Sequence, residues 1–445
     1  MKEKENGKLP LDGFRVIDQT IVWAGPYATM LLADMGAEVI RVESTNFFPY
    51  VTRGHYCRPS DSILMSAGLL LGGYPSRKAG DRPWNRNPFF NLTARNKLSM
   101  TAKLNTPKGK EIFKRLVKIS DCIIENYGYG AMERLGLGYD VLKEVNPRII
   151  YVAMSAFGSR GKWKSRLALG RHLEHIAGHT LLRKYPDIEP DRLSDIYHCD
   201  ATGGAIGAFA ALIGLYNRMK TGKGQFIDVS LIETIIPQLG EALMDYVMNG
   251  RIRQSLGNRH EWASPCGVYR CAGEDRWVAI TVFNDEEWRG LCRAMGNPEW
   301  TTEERFSSQI KRWKNQDELE KFIESWTRDK EDYEVMYLLQ KEGVPSSPVM
   351  DEIQYFNDPH LKERGFFEEV THADCGTHLY PGVPWKMSKT PSSIRKPPCR
   401  LGEHNEYVYK KLLGFTDNEY NELVKDGHIG MDYDESITVR GPAKR

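Results

Sequence analysis

The sequence predicts an α/β protein built on a parallel sheet. Three observations carry this reading. The first forty residues alternate strand, helix and strand; the alternation returns after residue 100; and the composition is globular, with 41% hydrophobic and 27% charged residues in 445. A chain about three times the ~150-residue prior for one domain is expected to fold as more than one.

Phe14 to Asp18 is a short β-rich run, and Pro26 suits the first turn of the helical stretch Tyr27 to Met35, which Gly36 stops. Ala37 to Glu43 then reads as a second strand, completing a β-α-β unit of the kind found in parallel sheets. Lys108 to Ile119 repeats the helical pattern, and Asp121 to Glu125 and Ile149 to Ala153 read as further strands. Asp200 to about Lys220 is helical and Gln225 to Leu231 alternates like a strand. Between Ser44 and Arg95 the alternation lapses into Pro, Gly and aromatic residues, and a connection this long is functional or an insertion. Beyond Gly257, short strands and amphipathic helices rich in Glu, Lys and Trp define a smaller α+β domain, and the tail from Asp351 carries strand and turn signals again, ending in the helix-like Asn405 to Leu413. The expected division is 10–235 for the N-terminal part of the large domain, 255–350 for the small domain and 351–445 for a segment returning to the large one.

Sixty-one Lys and Arg against 59 Asp and Glu, a formal charge of +2, are too balanced for a nucleic-acid binder. Met1 to Pro10 lacks the apolar run of a signal peptide, and Ala201 to Tyr216 is shorter than the ~18 residues of a membrane span, so a cytoplasmic chain with a core helix there is expected. Eight sparse cysteines, of which only Cys266 and Cys271 are close in sequence, read as reduced thiols, with no metal site.

The first β-to-α turn, Trp23 to Pro26, has none of the spaced glycines that let a dinucleotide approach, so NAD is not expected. Thr221 to Gly224 follows a helix and reads as a helix stop, not a phosphate loop. Glu125 to Gly130 follows a strand, with Arg134 one turn on, a pattern open to two readings: an anion site or a plain turn. Asp200, ahead of Gly203 and Gly204, is by local sequence an N-cap or a carboxylate nucleophile. His172, Glu174, His175 and His179 share a helical spacing, but Leu173, Ile176 and Ala177 beside them read as a buried stripe, which favours packing over metal binding. Arg395 to Pro398 reads as a solvated loop.

Taken together, Leu11 to Asp18 (LDGFRVID), Ala24 to Glu43 (AGPYATMLLADMGAEVIRVE), Asn96 to Ser99, Glu125 to Gly128 with Arg134, Asn146 to Ile150, Thr221 to Gln225, Asp358 to Leu361, Arg364 to Phe367 and Leu401 to Asn405 resemble the class III (family III) CoA-transferases, in order, from about residue 11 to 430. Formyl-CoA transferase, crotonobetainyl-CoA transferase and alpha-methylacyl-CoA racemase belong to that family. The resemblance implies a Rossmann-like large domain built from both chain ends, a small domain inserted late, and an interlocked ring-like dimer. It implies no prosthetic group, with coenzyme A esters and carboxylic acids as substrates. In the transferases an aspartate attacks the donor thioester, and here the matching residue is Asp200. The family's CoA positions match Asn126, Tyr127, Gly128 and Arg134, its adenosine-side segment matches Ala102, Lys103, Leu104 and Asn105, and the turn near the thiol matches Trp23 and Ala24.

Departures from the family pattern are local. Gly170 stands where some transferases carry a second carboxylate, with Glu174 four residues on; the glycine-rich lid of formyl-CoA transferase is replaced by Gly257 to Tyr269; and the connection between Ser44 and Arg95 is longer. The racemase alternative needs a histidine where this chain has Leu169. A non-catalytic subunit of a heteromeric transferase is the other alternative. Aromatic content of 11%, including Trp23, Trp84, Trp163 and Trp262, suits a bulky acid, so the expected donor is succinyl-CoA and the expected acceptor an aryl- or alkyl-succinate or another bulky acid.

Overall fold

The computed structural model describes residues 9–66, 73–194 and 196–437. Its centre is a six-stranded parallel sheet of β1 (Arg15–Gln19), β2 (Glu38–Glu43), β3 (Leu98–Thr101), β4 (Cys122–Glu125), β5 (Ile150–Ala153) and β6 (Gln225–Asp228), in the order β3-β2-β1-β4-β5-β6. Side chains alternate between the two faces, as strand geometry requires. Val16, Val39, Ile124 and Val152 pack on one side with the helices Ala24–Asp34 and His198–Thr221. Ile17, Ile40, Ile123 and Tyr151 pack on the other with the helix Pro107–Lys118 and the π-helical turn Tyr407–Leu412. Each such side chain fully removed from water contributes ~1.5–3 kcal/mol, so the two covered faces dominate the stability of this unit.

Some helix ends fall where the sequence provides a cap or a stop. Thr106 accepts from the Gly109 N–H ahead of Pro107–Lys118, and Gly222, at φ 73°, ends the helix His198–Thr221 as the stop reading expected. Several readings need correction. β3 has no counterpart in the sequence reading, because four residues (LSMT) carry too little pattern, and the strand exists by pairing with β2. The alternating run after Gln225 is strand only to Asp228 and turns helical at Leu231–Ile235. The core helix runs 24 residues, His198–Thr221, a little past both ends of the expected Asp200 to Lys220; by length and composition it could cross a membrane, and half of its apolar window is buried. Arg395 is not merely solvated: its guanidinium donates to the Ala33 and Asp34 carbonyls and so closes the C-terminal end of the first helix.

The chain divides into two compact units, one of Met1–Ala177, Asp195–Gly240 and Glu363–Arg445, the other of Gly178–Ser194 and Glu241–Lys362. Residues 178–194 and 351–362, read from sequence as large-domain chain, cluster with the smaller unit. Tertiary hydrogen bonds hold them there: the Ser255 hydroxyl donates to the Lys184 carbonyl, Tyr185 to Asn258, and Tyr333 to Asp358. The smaller unit carries the antiparallel sheet β7 (Cys266–Arg270), β8 (Trp277–Thr281) and β9 (Ser346–Pro348), with a core including Tyr269, Ile280, Trp288 and Phe306. A hairpin, β10 (Phe367–His372) and β11 (Gly376–Pro381), belongs to the larger unit.

Candidate active site

In this strand order the connections reverse direction between β1 and β4, and a doubly wound sheet takes its ligands in the crevice at that point, beyond the carboxyl ends of the strands. A cavity of ≈ 290 Å³ lies there, lined by Gln19 and Thr20 after β1, Arg41 and Glu43 of β2, Ala102, Leu104 and Asn105 after β3, and Tyr127 after β4. Four of the residues matched to the family's CoA positions, Ala102, Leu104, Asn105 and Tyr127, thus share one wall-and-floor arrangement. Phe47 and Pro49, from the start of the long connection, complete the rim.

The other matched residues lie outside this cavity. Lys103 turns to the C-terminal segment, its backbone N–H donating to His428 Nδ1 and its ammonium to the Asp426 carbonyl. Asn126 ties two turns together: Oδ1 accepts from the Ile21 N–H at 2.7 Å and Nδ2 donates to the Ile21 carbonyl at 2.9 Å. Gly128 is exposed in the turn that follows. Arg134 is exposed, with one N–H near the Tyr129 carbonyl at 3.3 Å. The helix it ends, Ala131–Arg134, is a single turn with little macrodipole, so attraction for an anion there rests on the guanidinium itself.

Asp200 occupies the first turn of His198–Thr221 and is not its N-cap, a position held by Tyr197 in the left-handed conformation at φ 53°. Two close approaches deliver its carboxylate. Gly204 lets the long helix press on the first one, since a Cβ there would lie 2.7 Å from the Ala24 carbonyl oxygen. Gly170 clears the carboxylate itself, since a Cβ there would lie 1.7 Å from Asp200 Oδ2. Any side chain at position 170 would have no room beside this Asp200 rotamer. Asp200 is 7% exposed, and burial pushes its carboxyl up to about 6, opposed by the hydrogen bond from the Ala24 N–H and assisted by the negative charge of Glu174.

Glu174 is 1% exposed, and its Oε1 accepts from the Cys199 N–H at 3.2 Å. The helix Gly170–Ile176 therefore buries Leu173 and Glu174 and exposes Ile176, contrary to the expected apolar stripe. His172 Nδ1 accepts from the Leu169 N–H and His175 Nδ1 lies 2.7 Å from the Arg171 carbonyl, so both rings serve their own helix. Among the described residues no group of three or more His, Cys, Asp or Glu side chains is placed to hold a metal.

Beneath the cavity lies a charged network that motif reading missed. Lys97 donates to Asp18 Oδ2 at 2.9 Å, to the Pro26 carbonyl at 2.9 Å and to Thr29 Oγ1 at 2.7 Å. Burial would push Asp18 up, but Lys97 and Arg41 outweigh it and hold the carboxyl down at about 2. Glu43 is likewise held at about 2 against burial by Arg53 and Arg41. Glu125, with no such cation beside it among the described residues, is pushed up to about 8 by burial, and its carboxyl accepts from the Tyr127 N–H at 2.8 Å. The available signal was Arg41 and Glu43 among Val39, Ile40 and Val42 in a buried strand, since buried charges come in pairs.

The sheet order and the cavity at its reversal point define an α/β ligand-binding protein without the glycine signature of dinucleotide folds. The chain belongs to CoA-transferase family III, whose sequence model matches residues 11–405. It is 30% identical to the succinyl-CoA–L-malate CoA-transferase beta subunit of Chloroflexus aurantiacus, over 93% of this chain and 97% of that one. It is 30% identical to the succinate–glutarate CoA-transferase of Agrobacterium fabrum, over 93% and 98%. A CaiB/BaiF family protein of Brucella suis superimposes with a TM-score of 0.76 at 27% identity, over 91% of this chain and all of that one.

Proposed function

We propose that the protein moves CoA from succinyl-CoA to a substituted succinate or another bulky carboxylic acid, with Asp200 as nucleophile. The observation that carries the reading is the buried Asp200 carboxylate, held at the Ala24 N–H by the turn whose earlier residues, Thr20 and Ile21, also line the crevice at the sheet's reversal point. The Asp200 carboxylate attacks the donor's carbonyl carbon, the C–S bond breaks, and CoA leaves as thiolate from an aspartyl anhydride. Thiolate then attacks the aspartyl carbon, releasing succinate and leaving an aspartyl-CoA thioester. The acceptor carboxylate attacks that thioester, and the returning thiolate takes the new acyl group and frees Asp200. Energy is conserved because one thioester replaces another. Ala102, Leu104, Asn105 and Tyr127 wall the CoA moiety, Arg134 meets its phosphates from the exposed side, and Lys103, Asn126 and Gly128 hold the surrounding turns. Trp23 and Ala24 border the thiol end. Succinyl-CoA as donor rests on the names of the relatives.

An interlocked dimer, of two copies or with a related subunit, is the assembly we favour. Its support is the row Ile206, Phe209, Ile213 and Tyr216, at helical spacing on one face of the long helix and exposed in the single chain.

Incubation with succinyl-CoA alone is expected to add a donor-dependent mass to Asp200, trapped by hydroxylamine or borohydride and located by peptide mass spectrometry. No adduct, with deuterium instead entering the α-carbon in heavy water, would replace transfer by racemisation. The pH dependence has a definite sign. The ionised carboxylate is the nucleophile and its proton affinity is raised to about 6, so kcat/KM for the donor should fall as pH drops through about 6 and level off above 7. A flat profile between pH 5 and 8 would contradict this.

A further inference from the structure

The connection from β2 to β3 is far longer than a crossover needs, and part of it returns to Trp23, the residue before Ala24. Phe89, on the helix Pro88–Thr93, brings its ring centroid to 6.2 Å from Trp23. Trp23 meets Tyr197 edge-on at 6.3 Å and 87°. Trp23 immediately precedes Ala24, whose N–H holds the Asp200 carboxylate, and Tyr197 lies at the start of Asp200's own helix. The two chain segments that position the nucleophile thus each contribute a ring to one cluster centred on Trp23, and the long connection adds a third. All three residues are only half-buried, so the rings are not spent on the core. The Trp23 Nε1–H is buried without an acceptor among the described residues, a cost that a ligand carboxylate would remove.

We propose that Phe89, Trp23 and Tyr197 form the acceptor's side-chain subsite, selecting dicarboxylic acids that carry an aromatic ring over those with a short aliphatic branch. The inference rests on the transfer reading above and adds to it the residues that choose the acceptor. Rigid rings offer edge and face to a planar substituent at little conformational cost, whereas a methyl group touches only one of them. Phe89 is the component supplied by the long connection, so it is the residue through which this chain's selectivity is set.

The test compares phenylsuccinate with methylsuccinate as acceptors, with succinyl-CoA as donor. Wild-type kcat/KM should favour phenylsuccinate, and Phe89→Ala should reduce the ratio at least tenfold. Phe89→Leu, which keeps most of the volume, should reduce it as well, while Phe89→Tyr should retain it. An unchanged ratio, or an equal loss for both acids, overturns the subsite. The donor-only adduct on Asp200, read in the same preparations, separates the two levels. An adduct with an unchanged ratio removes the subsite and leaves the transfer reading; no adduct in the wild type removes both.

Discussion

Asp200→Ala is expected to lower CoA transfer by roughly 10⁴-fold or more, because it removes the atom that bonds to the acyl group and no neighbouring side chain replaces it. The fold should survive. Asp200 is not a helix cap, so no cap is lost, and the substitution relieves a buried carboxylate that burial already disfavours. Alanine is also the better helix former, which puts the net stability change within ~1 kcal/mol. Asp200→Asn is the sharper control: it keeps the shape and an oxygen for the Ala24 N–H, yet cannot form an anhydride. Steady-state assays paired with thermal unfolding check both. Activity within tenfold of wild type in either variant would move the nucleophile elsewhere, and Glu174, buried beside Cys199, would be the next residue to test.

The largest stability effect is expected at Lys97. Its ammonium joins β1 to the first helix through Asp18, the Pro26 carbonyl and Thr29, and all three of its donors are used. Lys97→Ala would leave Asp18, fully buried, with hydrogen bonds from Thr20 and Thr29 but, among the described residues, with Arg41 at 3.4 Å as its one remaining cation. Breaking one side of a buried ion pair costs ~3–5 kcal/mol, a large share of the ~5–15 kcal/mol that holds a typical domain. Urea unfolding should show that loss, and adding Asp18→Asn should return part of it, since the uncompensated charge disappears. A loss below ~1 kcal/mol, or simple additivity of the two substitutions, would mean that water or Arg41 already satisfies Asp18.

Much of the parallel sheet was legible in the sequence, because β1, β2, β4 and β5 are short β-rich runs separated by helices or turns. β3 was not, since LSMT has neither alternation nor length and is a strand by virtue of β2 beside it. Within the candidate site, Asp200 was legible as a residue type ahead of small residues, and Ala102, Leu104, Asn105 and Tyr127 were legible through the family resemblance. Phe89 was not, because nothing in the PFFNLT stretch says which ring it meets. Glu174 was hidden for a similar reason: helical spacing suggested that Ile176 would be buried, whereas the Cys199 N–H draws a carboxylate inward and leaves Ile176 outside.

What the sequence determined by itself is local and periodic: most of the runs that form strands, many of the helix starts and stops, and which family the ordered motifs match. Hydrophobic period and backbone sterics act between near neighbours, so they can be read along the chain. The tertiary structure decided how residues distant in sequence act on one another. It put Gly170 and Ala24 against the Asp200 carboxylate, Lys97 and Arg41 against Asp18, and, among the described residues, no comparable cation against Glu125. Proton affinity depends on burial and on charges a few ångströms away, whatever their separation along the chain, and so two carboxylates on neighbouring strands titrate at about 2 and about 8.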